Sequence, residues 1–227
     1  MKIIALICAR GNSRGIKDKN LLKFKKTTLL GNAIKQAFQS RYINQVIVST
    51  DSKKIAKEAI KHKAKVPFLR PKKLATSFSP EIDTWRHAVK FLNKKKDIDL
   101  IISIPTTSPL RKVNDINNCI KLAIKKKLDM VFTITESTKN PYFNIVRMRK
   151  NKIGLVCEQK NKVHRRQDAP RCYDLTTVCY VFKPNYILKN NNLMKGKTGV
   201  INVPKIRSID IDDKTDYKIA QLLSKIK

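Results

Sequence analysis

The chain has 227 residues, 41% of them hydrophobic, which is enough for a full core in one large domain or two small ones. Lys and Arg number 50 against 17 Asp and Glu, a net charge of +33 that raises nucleic-acid binding as a first reading. The lysines are scattered in twos and threes, as at Lys25-Lys26, Lys53-Lys54 and Lys125-Lys126-Lys127, with no basic tail or arginine stripe, so the charge reads as a surface bias that helps to steer anionic substrates.

Residues 3–9 (Ile-Ile-Ala-Leu-Ile-Cys-Ala) are small or apolar without a break and predict a strand buried on both faces. The run is too short for a signal-peptide core and leads straight into Arg10. Loop 10–20 then brings Gly11, Gly15, Arg10, Arg14, Lys17, Lys19, Asn12, Ser13 and Asn20. Helical spacing resumes at Leu29-Leu30, Ala33-Ile34 and Ala37-Phe38. Strand, polar glycine-containing loop and helix is how an α/β fold presents phosphate-binding amides and cations. A plain polar turn with surface lysines has the same composition. The loop lacks both the Walker A ending and the dinucleotide fingerprint.

Residues 45–51 predict a second strand, and Ser52 a cap for a helix with Ile55, Ala56, Ala59 and Ile60 inward. Val66–Leu69 is extended, and Arg70 before Pro71 avoids the helical region. Ser79-Pro80-Glu81 starts a helix with Pro at its first position, carrying Trp85, Ala88, Val89 and Leu92 inward. A third strand covers 100–104, a helix carries Ile116, Ile120 and Ile124, and a fourth strand covers 130–134. This alternation predicts an α/β fold: a mostly parallel, doubly wound sheet. Ligands then sit beyond the carboxyl ends of the strands, where loops 10–20, 51–52, 70–80 and 105–111 open.

From about 138 the pattern changes. Residues 143–148 and 153–156 flank Lys150-Asn151-Lys152 as a hairpin. A polar stretch runs from Glu158 to Asp174, a strand covers 177–182, and 190–197 is a polar loop. Gly196-Lys197-Thr198 imitates a P-loop ending, but Asn191 stands where its first glycine belongs. Strands are expected at 200–203 and 206–211, then a helix capped by Asp213 with Tyr217, Ile219, Ala220, Leu222 and Leu223 apolar. No repeat or long linker divides 1–227, so one domain is expected. No segment reaches the ~18–20 apolar residues of a membrane helix. The 5 cysteines show no Cys-x-x-Cys pair and no metal spacing, as expected of reduced thiols in a cytoplasmic protein. Within the strand expected at 206–211, Asp210 and Asp212, at i and i+2, would point to one face. Two aligned carboxylates suit a hard divalent ion such as Mg²⁺, or form a solvated strand end before a helix cap.

Ala9-Arg10-Gly11-Asn12-Ser13-Arg14-Gly15 followed by Lys19-Asn20 resembles the Ala-Arg-x-x-Ser-Lys/Arg-Gly…Lys-Asn signature of the acylneuraminate cytidylyltransferases, the CMP-sialic acid synthetases. The Pro-Gly-Lys-Pro ending of the related KDO enzymes is absent. Further segments match in the same order: Arg70-Pro71 with Leu74-Ala75; Thr107-Ser108-Pro109-Leu110-Arg111; Arg165-Arg166-Gln167 with Pro170; and Asp210-Ile211-Asp212 with Asp216. Asn140-Pro141-Tyr142-Phe143 is similar to members acting on acylated nonulosonic acids. The chain departs from the pattern at Ser77, where the family has an acid, at Pro105, at Thr176-Thr177-Val178 and, mildly, at Asp213.

The resemblance implies a nucleotide-diphospho-sugar transferase-like fold with a small dimerisation insertion at 138–175. It implies transfer of CMP from CTP to an acidic nine-carbon sugar by a homodimer; the scattered charge and the short apolar runs speak against nucleic acid and a membrane as partners. Ala9, Arg10, Gly11, Ser13, Lys19, Asn20, Arg70 and Ser77 would form the nucleotide site. Thr107, Ser108, Arg111, Arg166, Gln167 and Tyr180 would face the sugar. Arg10, Lys19, Asp210 and Asp212 would be catalytic, the two acids holding Mg²⁺ with Mn²⁺ as its substitute. The rival readings are a cytidylyltransferase for another acidic sugar such as KDO, and a non-catalytic or nucleic-acid-binding relative.

Overall fold

The computed structural model describes residues 1–94, 97–157 and 165–226. In chain order the elements are β1 Ile3–Cys8, β2 Lys23–Phe24, β3 Thr27–Thr28, α1 Leu29–Phe38, β4 Gln45–Ser49, α2 Lys53–Lys61, α3 Glu81–Leu92, β5 Leu100–Ser103 and α4 Val113–Lys125. Then come β6 Met130–Glu136, β7 Val146–Arg149, β8 Lys152–Leu155, β9 Tyr173–Phe182, α5 Pro184–Lys189, β10 Thr198–Asn202 and α6 Lys214–Leu223.

Six strands form one sheet in the order β10-β6-β9-β5-β1-β4. Five run in one direction, and β9 lies antiparallel between β5 and β6. Side chains alternate across the sheet, as a strand covered on both faces requires. Ile3, Ala5 and Ile7 of β1 join α1, α2 and α4 in one core, whereas Ile4 and Leu6 join α3 and α5 in the other. A third, small cluster seats α6, through Ala220, against Phe24, Leu29 and Ile211. The fold is thus the mostly parallel, doubly wound α/β sheet read from the sequence.

Ser52 caps α2, its hydroxyl accepting from the Ile55 amide, and Asp213 caps α6 in a reciprocal box with Asp216. The hairpin β7–β8 forms as expected, turning on Lys150 and Asn151, both left-handed with φ of 45° and 62°. Four details differ. Pro80 is the N-cap of α3 rather than its first residue. Phe38, Ile60, Ile219 and Leu222 face solvent, because each helix packs on the core along a narrower stripe than its apolar residues span. Helix α5, with six residues, is too short for periodicity to reveal. Residues 206–211 are not a strand: a 3-10 turn, Lys205–Arg207, leads into irregular chain with Ile211 buried in the third cluster. Part of the polar stretch, 158–164, lies outside the described residues. The cysteines are free thiols among the described residues; Cys119 and Cys179 meet in the core with their sulfurs 3.5 Å apart.

Candidate active site

A cleft of about 240 Å³ opens beyond the carboxyl ends of β1 and β5. Arg10, Ser13, Lys19 and Asn20 line one side, and Arg70, Thr76, Glu81 and Thr107 line others. The loop that carries the cations is held by its neighbours. The Gly11 amide donates to Asp51 Oδ1 at 2.9 Å. Buried Asn20 donates to the Arg10 carbonyl at 2.9 Å and accepts from the Thr106 hydroxyl at 2.6 Å, tying this loop to loop 105–111. Gly15 passes so close to the Asp212 backbone that a Cβ would sit 2.0 Å from its carbonyl oxygen. Lys19 Nζ donates to the Ile211 carbonyl at 2.6 Å and to Asp212 Oδ1 at 3.2 Å. Loop 10–20 and the acidic segment therefore form one unit.

Two groups keep unused hydrogen-bonding capacity: Arg70 in the cleft lining, and Asp210, which is not in that lining but lies beside its members Thr107 and Thr177. Arg70 is 6% exposed, yet among the described residues its Nε and Nη2 have no hydrogen-bond partner; Asp51 Oδ1 lies 3.7 Å from Nη2, and Nη1 reaches the Thr84 hydroxyl at 3.4 Å. Leaving such donors buried is costly unless a ligand takes them. Asp210 Oδ1 is likewise buried without a partner. Burial pushes the Asp210 carboxyl above its ordinary pKa, and nearby Asp212 adds to this, while the Thr107 and Thr177 hydroxyls and Lys19 oppose it. Asp212 differs, its side chain being 80% exposed beside Lys19. The two acids share a segment but not the common strand face expected of them, because no strand forms there.

Residues 4–212 match the family profile described as cytidylyltransferase. The chain belongs to the cytidylyltransferase family. It is 32% identical, over its whole length and 96% of the relative, to the CMP-N,N'-diacetyllegionaminic acid synthase of Campylobacter jejuni. With the post-translational flagellin modification protein B of Campylobacter coli it shares 31% identity over the same extents. Its fold matches a solved CMP:2-keto-3-deoxy-manno-octonic acid synthetase complexed with CTP, with a TM-score of 0.75, 12% identity and coverage of 99% and 98% of the two chains.

Within this cytidylyltransferase, the residues expected at the nucleotide separate into lining and support. Ala9 is buried, its amide donating to the Ser49 carbonyl. Ser77 is exposed, and its neighbours Thr76 and Ser79 form the cleft wall. Of the residues expected at the sugar, Thr107 lines the cleft. Ser108 is fully buried, its hydroxyl 2.7 Å from that of Thr177. Arg111 is buried and braces the loop through the Pro105 carbonyl and Gln36, and burial pulls its pKa down to about 10. Tyr180 packs between Trp85 and Phe132. Arg166 and Gln167 line a different cleft, of about 790 Å³, beside the ends of β6 and β10, where Arg166 donates to the Ser137 carbonyl. Tertiary packing thus does not bring these two into the first cleft.

The sequence reading missed Glu81, since Ser-Pro-Glu there signals only a helix start. Glu81 opens α3 on the cleft. Although solvent reaches it along the cleft, its carboxyl is ringed by protein. Burial first, then the charge of Asp210, pushes its pKa from 4.5 to about 7, with Arg70 pulling the other way. A carboxyl raised on folding favours the folded state while protonated and loses that contribution as pH rises through the folded value. Glu81→Gln is therefore expected to raise the melting temperature at pH 8, with the gain fading below about pH 5. A gain independent of pH in thermal melts would contradict this.

Proposed function

We propose that this cytidylyltransferase transfers CMP from CTP to the anomeric hydroxyl of an acidic nine-carbon sugar, a nonulosonic acid, releasing pyrophosphate. The observation that carries the reading is the buried Arg70 with its unused donors, in a cleft shared with Arg10, Lys19 and Asn20 at the carboxyl ends of the sheet. The sugar class rests on the full-length likeness to a synthase of a CMP-nonulosonic acid. In the reaction the hydroxyl oxygen attacks the α-phosphorus, the bond to the pyrophosphate oxygen breaks, and the hydroxyl proton leaves. Positioning and charge neutralisation carry such a transfer. Arg10 and Lys19 offset the triphosphate charge, Asn20 fixes the loop, and Arg70 offers its free N–H groups to the cytosine.

Asp210 and Asp212 would hold a Mg²⁺ or Mn²⁺ ion. Their oxygens suit a hard cation, and among the described residues Asp210 Oδ1 has no hydrogen-bond partner. Among the described residues no cluster of three or more His, Cys, Asp or Glu could hold a metal alone, so the remaining ligands would be phosphate oxygens and water. When bound, the ion supplies Lewis-acid polarisation of the phosphate.

The same reading includes a homodimer formed through 138–175. Supporting it, Val146, Met148 and Ile153 lie on one face of the β7–β8 hairpin, are 58%, 74% and 72% exposed, and would be covered by a second copy. Among the described residues no helix is long and apolar enough to cross a membrane. The reading includes a cytoplasmic location, which the free thiols and a CTP substrate support.

Pyrophosphate release measured with each nucleoside triphosphate and a panel of acidic sugars tests the reading. CTP should give the highest kcat/KM, and nonulosonic acids should exceed KDO. Preference for a purine triphosphate would overturn it. So would nucleic-acid binding with a steep salt dependence and no CTP-dependent pyrophosphate release.

A further inference from the structure

Phe78 is 82% exposed, the highest value of any large hydrophobic side chain among the described residues. Its ring is nonetheless engaged: the Arg14 guanidinium carbon lies 4.5 Å from the ring centroid. The two residues belong to facing loops. Ser13, beside Arg14, lines the cleft from one side; Thr76 and Ser79, around Phe78, line it from the other. A second bridge runs alongside, from Arg10 Nη1 to the Thr76 carbonyl at 3.1 Å. The Phe78 loop is braced from within, since the Thr76 and Ser79 hydroxyls lie 2.7 Å apart and Ser79 Oγ donates to the Lys73 carbonyl at 2.9 Å.

We propose that Phe78 is a positioning residue for the nucleotide, its ring holding the Arg14 guanidinium at the cleft rim where it meets the outer phosphates of the triphosphate. The proposal rests on the cytidylyltransferase reading above. A guanidinium stacks through its flat face, so its in-plane N–H groups stay free for bidentate contact with phosphate. Among the described residues no hydrogen bond or ion pair occupies those groups of Arg14. Unstacked, this long side chain on an exposed loop would sample many rotamers, and ordering them would weaken binding. Phe78 acts through Arg14 and need not touch the reacting atoms.

Calorimetric titration of the full chain with CTP tests this. Phe78→Ala is expected to weaken CTP binding about two- to fivefold, the range of an exposed cation–π contact. Phe78→Tyr and Phe78→Trp should restore affinity, and Phe78→Leu should not, because it keeps apolar bulk without a π face. The double variant Arg14→Ala/Phe78→Ala should bind no worse than Arg14→Ala alone. CMP, which lacks the outer phosphates, should bind all these forms alike. CTP affinity untouched by Phe78→Ala, losses that add in the double variant, full rescue by Leu, or an equal loss with CMP would each overturn the proposal. Failure of the unmodified protein to bind CTP would overturn the parent reading, and this one with it.

Discussion

Asp210→Asn and Asp212→Asn are each expected to remove most turnover, by at least about a hundredfold, while the fold survives. The two positions reach that result differently. Asp210 is the half-buried acid whose Oδ1 has no hydrogen-bond partner among the described residues, so on the proposed reading Asn there removes charge from an oxygen that would ligate the cation. Its carboxyl is raised by burial, so the protein without ligand should melt no lower as the Asn variant at neutral pH. The extra thermal stability conferred by CTP with Mg²⁺ should disappear. Asp212 is exposed beside Lys19, an arrangement that by itself describes a surface ion pair. If it were only that, Asp212→Asn would change stability by up to about 1 kcal/mol and leave turnover nearly intact. EDTA should silence the unmodified enzyme, and Mg²⁺ or Mn²⁺ should restore it. Full activity in EDTA, or turnover by the double Asn variant, would refute the metal role.

Lys19→Ala and Arg10→Ala should each lower CTP affinity or turnover at least about tenfold, since a charge-assisted contact to phosphate contributes roughly 1.5–3 kcal/mol. Lys19→Ala should be the more damaging. Its ammonium, with a side chain only 13% exposed, also binds the Ile211 carbonyl and Asp212, so its loss loosens the segment that carries both acids. Among the described residues the Arg10 side chain has one hydrogen bond, to the Thr76 carbonyl in an exposed setting. Steady-state pyrophosphate release and circular dichroism on both variants separate loss of function from loss of fold. Unchanged kinetics in both would reject the phosphate-loop assignment.

The sequence by itself determined the strands β1, β4, β5 and β6, the helices between them, and the caps Ser52 and Asp213. These follow from local rules: a continuous apolar run needs cover on both faces, and a side-chain oxygen before a helix satisfies free amides. The ordered motifs from Arg10 to Asp216 likewise led to the family that the profile then showed. Packing decided the rest. Periodicity reports which side of an element is buried, not which neighbour buries it, so nothing local in 173–182 announced that β9 would run antiparallel between β5 and β6. The i, i+2 rule holds only inside a strand, and burial of Ile211 against Phe24 and Ala220 pulls 208–212 out of any sheet, which sends Asp210 inward and leaves Asp212 exposed. Arg111, expected from the motif to face the sugar, instead becomes a buried brace once Gln36 and the Pro105 carbonyl fold over it. Glu81 acquires its raised pKa from the protein that surrounds its carboxyl and, second, from Asp210, 129 positions along the chain. Charges and contacts that depend on residues so far apart exist only once the sheet has assembled, and no pattern along the chain encodes them directly.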